Sequence, residues 1–300
     1  MSAPKNPADR GLTPDQVRQF HDDGFLIARQ LLPLAALQPL IGELEQKVED
    51  AISAAVQRGV LDAADIFAGA PFSTRLGQVI AVCAEPNWLW QEVHGKQHKS
   101  AGMFSLRTCP SLLDAVESLI GPEIFAHPQT VLRVKLPDHA ETVVPWHQDL
   151  AYLKPEEAGD TLVVNLWIPL VDATAANGCM QVLRGSHRAG LLPHDQRETI
   201  YKGIAEENLP EGEIVTCEVA VGDALLTMER VLHRSIPNTT QTVRWSLDTR
   251  YSRLGLPTGR KRVPGFVARS RAAPERVARS HRDWVQAFVE AGLDPREKRH

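Results

Sequence analysis

Over the first 120 residues the apolar positions recur at helical spacing. In "LTPDQVRQFHDDGF", Thr13 is placed as an N-cap, Pro14 as the first helical residue and Gln16 as the partner that completes a capping box. Val17 and Phe20 give this helix its apolar face, and Gly24 stops it. A short strand then leads into a long amphipathic helix over about 33–57, with Leu37, Leu40, Ile41, Leu44, Val48 and Ile52 on one stripe. Further helices are predicted over 73–83 and over 111–120, the latter opening on a Ser111 cap and ending at Gly121.

After Gly121 the pattern changes to short runs of β-branched and apolar residues broken by turns. These are "FAHPQTVLRVKLP", "TVVPWHQD", "TLVVNLWIPLVD", "GCMQVL", "EIVTCEV", "DALLTM" and "TVRWSLDTRYS". Seven or more short strands without intervening helices imply a sandwich or jelly-roll barrel, because a βαβ repeat would interleave the two kinds of element. A last helix is expected over 274–291, carrying Val277, Trp284, Val285 and Phe288. With no repeat, low-complexity tract or linker in view, residues 1–300 are expected to form one domain. Its helical part covers about 13–120, its jelly-roll core about 121–255, and the C-terminal helix closes it.

Composition narrows the partners. A chain of 300 residues with 43% hydrophobic content can bury one large core. The net charge of −4 gives no electrostatic reason to expect nucleic acid or an anionic membrane. The polar "MSAPKNPADRGL" lacks the apolar centre of a signal peptide, and no later run has the roughly 20 apolar residues of a membrane span, so a cytoplasmic chain is expected. Cys83, Cys109, Cys179 and Cys217 are scattered without C-x-x-C spacing and read as small buried thiols. A small-molecule substrate is the expected partner, and a homo-oligomer is compatible with the composition.

The candidate chemistry begins at "PWHQDLAYL", residues 145–153. Residues two apart on a strand share a face, so His147 and Asp149 can approach one ion, although an H-x-D tripeptide alone is commonplace. His233, in "HRSIPN", offers a third ligand. Two imidazoles and one carboxylate make the facial triad of non-haem iron(II) sites, which leaves three positions open. Arg244, eleven residues after His233, has a guanidinium fork suited to the distal carboxylate of a keto-diacid whose other end chelates the iron, and Ser235 can add a hydroxyl. By strand parity Gln129, Arg133 and Lys135 share one face and are candidate contacts to cosubstrate or substrate.

Together these segments resemble the phytanoyl-CoA dioxygenase family of iron(II)- and 2-oxoglutarate-dependent oxygenases over nearly the whole chain. "LTPDQVRQFHDDGFLIARQLL" is similar to the family's opening helix and strand, "VPWHQD" to its metal motif and "NLWIPLVDATAANGCMQVLRGSH" to its central strand pair. "GDALLTMERVLHRSIPNTTQTVRWSLDTRY" is similar to its distal segment, with His233, Ser235, Pro237, Asn238, Arg244, Arg250 and Tyr251 in register. The resemblance implies a double-stranded β-helix, the cupin-type jelly roll, in which His147, Asp149 and His233 hold Fe(II) and Arg244 with Ser235 anchors 2-oxoglutarate. It also implies that Trp167 borders the cosubstrate, with Asn165 on the same face. The family's "PGSH" reads "RGSH" here, with Arg184 in place of proline, which alters a turn and removes no ligand. Asp149 is retained where halogenating relatives carry a small residue, which favours hydroxylation. The implied reaction consumes O2 and releases succinate and CO2, and the protein's part is positioning and exclusion of water. The same cofactor chemistry can end in desaturation, cyclisation or epimerisation, and a non-catalytic metal-binding cupin module or a zinc hydrolase would use the same three ligands.

Four other features compete for attention. "HGKQH" at 94–98 pairs two histidines at helical spacing without a third ligand and reads as a polar solvated segment. Trp88 and Trp90 beside it are candidates for a substrate lid or for core packing. The basic stretch 259–282 reads as solvated surface, with an anionic substrate as the alternative. Tyr152 is left as a candidate wall of the substrate pocket, and Gln148 is expected to face away from the metal.

Overall fold

The computed structural model describes residues 11–94, 99–196, 201–260 and 263–295. Helix α1 (Pro14–Asp23) starts on the Thr13–Gln16 capping box and ends at Gly24, whose φ of 83° is the left-handed conformation of a helix stop. Strand β1 (Phe25–Ala28) follows, then α2 (Leu34–Gln57), which buries Leu37, Leu40, Leu44, Val48 and Ile52 as its stripe predicts. Helices α3 (Phe72–Val82), α4 (Pro86–His94), α5 (Ala101–Arg107) and α6 (Pro110–Ile120) complete the helical layer. The cap of α6 is Cys109 and not Ser111, because Pro110 has the fixed φ and missing N–H that suit the first helical position. Neither α4 nor α5 was expected as a helix. Gly102 in α5 looks like a breaker, but a Cβ there would lie 2.7 Å from the Leu40 nitrogen, so the glycine lets α5 cross α2 at close range.

The β-region comprises β2 (Ile124–Ala126), β3 (Val131–Lys135), a one-turn helix α7 (Pro155–Ala158), β4 (Val164–Pro169), β5 (Met180–Leu183) and the short pair β6 (Asp195–Gln196) and β7 (Lys202–Gly203). Strands β8 (Ile214–Cys217), β9 (Ala224–Met228), β10 (His233–Ser235), β11 (Arg244–Arg253) and β12 (Phe266–Arg269) follow, and α8 (His281–Glu290) is the last described helix. The larger sheet runs β1-β9-β4-β11-β2-β12, and the smaller runs β10-β5-β8. Every ladder in them is antiparallel. Ten-residue β11 organises the larger sheet, with β4 along one edge and β3 then β2 along the other. This is the expected jelly roll with flanking helices.

Alternation along the strands separates two environments. Leu166 and Ile168 of β4 and Trp245, Leu247 and Tyr251 of β11 pack into the main core with the helices. The intervening positions, Asn165 and Trp167 on β4 and Arg244, Ser246, Asp248 and Arg250 on β11, have the opposite parity and turn into the barrel.

Two segments differ from their expected form. "TVVPWHQD" is no regular strand: His147 makes an isolated antiparallel bridge to His233, and a 3-10 turn begins at Asp149. At the C-terminus, residues 274–276 form only a 3-10 turn, and α8 starts later on a Ser280–Asp283 capping box. The unexpected β12 lies in the basic stretch, where Arg269 contacts Asp114 at 2.7 Å and Glu117 at 2.8 Å on α6, and Arg271 also pairs with Glu117. Those cations are matched by acids of the same chain.

Candidate active site

His147 and His233 face each other across a bridge in which each backbone N–H donates to the other's carbonyl at 3.0 Å. Their ring centroids are 4.1 Å apart. The Nδ1–H of His147 donates to the Pro145 carbonyl at 2.9 Å and that of His233 to the Val231 carbonyl at 3.1 Å. Each ring thereby keeps its Nε2 lone pair for a ligand bond, the arrangement of metal-binding histidines. Asp149, entering from the 3-10 turn, brings Oδ1 to 3.9 Å from His147 Nε2 and Oδ2 to 4.0 Å from His233 Nε2. One ligand atom from each residue lies within 4.8 Å of the others, and all three side chains are buried.

The electrostatics suit a cation. Burial, and then the neighbouring His233, push His147 down to about 3, so it stays neutral and able to ligate at physiological pH. Burial alone would raise the Asp149 pKa, but the Arg250 guanidinium and the two imidazoles outweigh it and hold the carboxyl well below its usual range. Arg250 Nη2 donates to Asp149 Oδ1 at 2.7 Å. The donor set of two imidazoles and one carboxylate fits a divalent first-row ion.

A pocket opens beside this triad, lined among others by Arg133, Lys135, Asn165, Trp167, Ser235, Arg244 and Asp248. Arg244 is 2% exposed, donates from Nη1 to Ser246 Oγ at 2.6 Å and stacks over Trp167 at 5.1 Å. Its Nε has no partner, and among the described residues no carboxylate pairs with it. Desolvation lowers it to about 10. Ser235 Oγ accepts the Val144 N–H at 3.0 Å. Lys135 Nζ donates to the Thr142 carbonyl at 2.9 Å, and Arg133 Nε donates to Asp248 Oδ2 at 2.9 Å. Both amide atoms of Asn165 are buried without a hydrogen-bond partner among the described residues. Such orphans beside a buried unpaired guanidinium fit an anionic, oxygen-rich ligand.

Other expected positions fall elsewhere. Gln129 is not in the pocket wall: β3 begins only at Val131, so the residue lies before the strand whose parity would have turned it inward. Trp88 packs on the helical core with the Arg58 guanidinium 4.5 Å from its ring, whereas Trp90 lines the pocket and donates to the Val134 carbonyl. Tyr152, carried by the 3-10 turn, sets its ring edge-on to His147 at 5.6 Å and is not among the pocket walls. His94 is buried, stacks on Trp90 at 4.4 Å and lines the pocket, contrary to the solvated reading, and residues 95–98 lie outside the described residues. Gln148 is directed away from the triad, donating to the Gly190 and Arg230 carbonyls. Sequence reasoning missed Asp248 and Tyr201 in the wall. Asp248 was recoverable, since it shares strand parity with Arg244.

A jelly roll that holds two histidines, one aspartate and a buried arginine in this relation defines the class of non-haem iron, 2-oxoglutarate-dependent oxygenases. Residues 20–246 match the family model for phytanoyl-CoA dioxygenase (PhyH), and the chain belongs to that family. It is 28% identical over 254 residues to human peroxisomal phytanoyl-CoA dioxygenase, covering 80% of this chain and 68% of that protein. It is 31% identical over 155 residues to the 1-deoxypentalenic acid 11-beta-hydroxylase of Streptomyces arenae, covering 47% of this chain and 53% of that protein. Among solved structures, the non-heme monooxygenase ThoJ in its apo form aligns with a TM-score of 0.60 at 24% identity, over 93% of this chain and 95% of its own. EctD from S. alaskensis with bound Fe aligns with a TM-score of 0.54 at 19% identity, over 83% and 79%.

Proposed function

We propose that this chain hydroxylates an unactivated C–H bond of a small molecule, consuming O2 and converting 2-oxoglutarate to succinate and CO2. The observation that carries this reading is Arg244, a buried guanidinium with no ion-paired carboxylate among the described residues, in the same pocket as three buried metal-ligand side chains. His147, Asp149 and His233 would hold the iron. Arg244 and the Ser235 hydroxyl would take the distal carboxylate of 2-oxoglutarate, with Lys135 next to them on the adjoining strand and Trp167 and Asn165 along its flank. Bound there, iron(II) and 2-oxoglutarate supply the oxidising power that removes hydrogen from the substrate.

The chain's own residues orient and exclude. The imidazoles are fixed by carbonyls, the carboxylate by Arg250, and the cosubstrate by Arg244, so geometry is set before substrate arrives. Among the triad and its neighbours none is asked to move a proton. Retention of Asp149 supports hydroxylation over halogenation, and the Streptomyces relative's printed activity is also a hydroxylation. The proposal also takes residues 1–300 as one domain acting in the cytoplasm without nucleic acid or membrane as partner. Four buried free cysteines suit a reducing compartment, and no described helix is long and apolar enough to cross a membrane.

Anaerobic addition of Fe(II) and 2-oxoglutarate tests the assignment through the weak visible band of the chelate. The band is expected in wild type and absent after Arg244→Ala. A wild-type protein without it, or a variant that keeps it at wild-type cosubstrate concentrations, sinks the reading.

A further inference from the structure

Arg250 sits behind the metal ligands and not in the pocket wall. It is 2% exposed, its Nη2 donates to Asp149 Oδ1 at 2.7 Å, and its Nε and Nη1 are buried without hydrogen-bond partners among the described residues. The backbone leaves it little freedom, because Arg250 lies in mid-β11, paired with Asn165 on β4 and accepting the His127 N–H at its carbonyl. A carboxylate can give a metal one oxygen or both, and the second mode takes up an additional coordination position. In a site that must admit a two-point chelator and still leave a place for oxygen, that position decides function.

We infer that Arg250 is a positioning residue that occupies Asp149 Oδ1 and thereby restricts the carboxylate to one-oxygen coordination through Oδ2, keeping the chelator's second position free. This rests on the iron and 2-oxoglutarate reading above. The charge-assisted bond is short, buried and supplied by a residue with no other ion-paired partner among the described residues, so no second carboxylate there competes for the guanidinium. The strand also explains the division of labour. Arg244 and Arg250 share parity on β11, one at the cosubstrate's distal end and the other at the metal end, so a single rigid element sets both.

The test uses full-length Arg250→Gln and Arg250→Lys proteins loaded anaerobically with Co(II), a redox-silent stand-in, with Co(II) and 2-oxoglutarate affinities measured separately by calorimetry and visible absorption. In the glutamine variant 2-oxoglutarate affinity should weaken about tenfold while Co(II) affinity changes little or tightens, and lysine should restore most of the loss. Wild-type 2-oxoglutarate affinity in a folded Arg250→Gln protein overturns the inference, as does parallel loss of Co(II) and 2-oxoglutarate in both variants, which would mark a merely structural residue. If neither variant folds, X-ray absorption on Fe(II)-loaded wild type decides, because two Asp149 oxygens on the ion exclude the inference and one supports it. Failure of the wild-type protein to bind Co(II) and 2-oxoglutarate at all would instead count against the underlying oxygenase reading.

Discussion

At the scale of single residues, Lys135 shows most directly how the pocket is tuned. It is 1% exposed and has Arg244 and Arg133 as neighbours, and burial, followed by those two charges, lowers it from 10.5 to about 6. Because the folded value lies below the unfolded one, the unfolded chain binds the extra proton between those two limits. Stability therefore falls as pH drops from the upper limit towards the lower, and levels off beneath it. Lys135→Met is expected to stabilise the metal-free protein by about 1–3 kcal/mol near neutral pH, with the gain shrinking at alkaline pH, as read from urea unfolding at the two conditions. A dicarboxylate bound beside Lys135 should raise its pKa, so calorimetry in buffers of different ionisation enthalpy should report proton uptake by wild type and none by the methionine variant. His147, Asp149, His233, Ser235 and Arg244 were candidates already in the sequence because they fall at short fixed spacings, the first two on a bridge and a turn, the others on three-residue β10 and at the start of β11. Trp90 and Trp88 were not separable, since two aromatics two positions apart on a short helix say nothing of which one meets the pocket.

At the scale of elements, turns decide where the pocket's polar groups stand. Gly178, just before β5, has a φ of +88°, and a Cβ there would lie 2.5 Å from Lys135 Cδ and 2.7 Å from the Ile236 carbonyl oxygen. Gly255, after β11, has a φ of +87° with nothing within 4 Å. Both alanine variants carry the backbone strain of a left-handed residue, about 1 kcal/mol, but Gly178→Ala adds a clash and should cost about 2–4 kcal/mol in all. It should also raise the KM for 2-oxoglutarate, which Gly255→Ala should leave unchanged, and steady-state succinate release checks both. The helices and strands with a clean period were legible, among them α1, α2, β4, β9 and β11. Illegible were elements whose signal depends on a distant partner. Residues 145–149 look like a strand yet make one bridge, because their pairing is with three-residue β10 and Pro145 limits the ladder. Strand β12 was hidden within the basic stretch, and its one cation, Arg269, is matched by Asp114 and Glu117 of α6.

At the scale of the whole molecule, the jelly roll was foreseeable from strand density, whereas the sheet order was not, since it depends on which edges β11 joins. A metal that binds only the folded chain stabilises it by mass action. Co(II) at a hundred times its dissociation constant should add about 2.7 kcal/mol, raising the melting temperature of a chain this size by about 4 °C. EDTA should reverse the shift, and His233→Ala should abolish it, as followed by calorimetric melting. The bridge between His147 and His233 carries a consequence for the order of events. The two imidazoles are 86 positions apart in the chain, and their backbones meet only when this pairing between distant segments closes. The ion therefore has no complete ligand set to grip while the chain is still searching, and such non-local pairings are the slow ones. Added metal should leave the refolding rate of the protein unchanged and act almost wholly by slowing its unfolding, a lock turned after the door has shut.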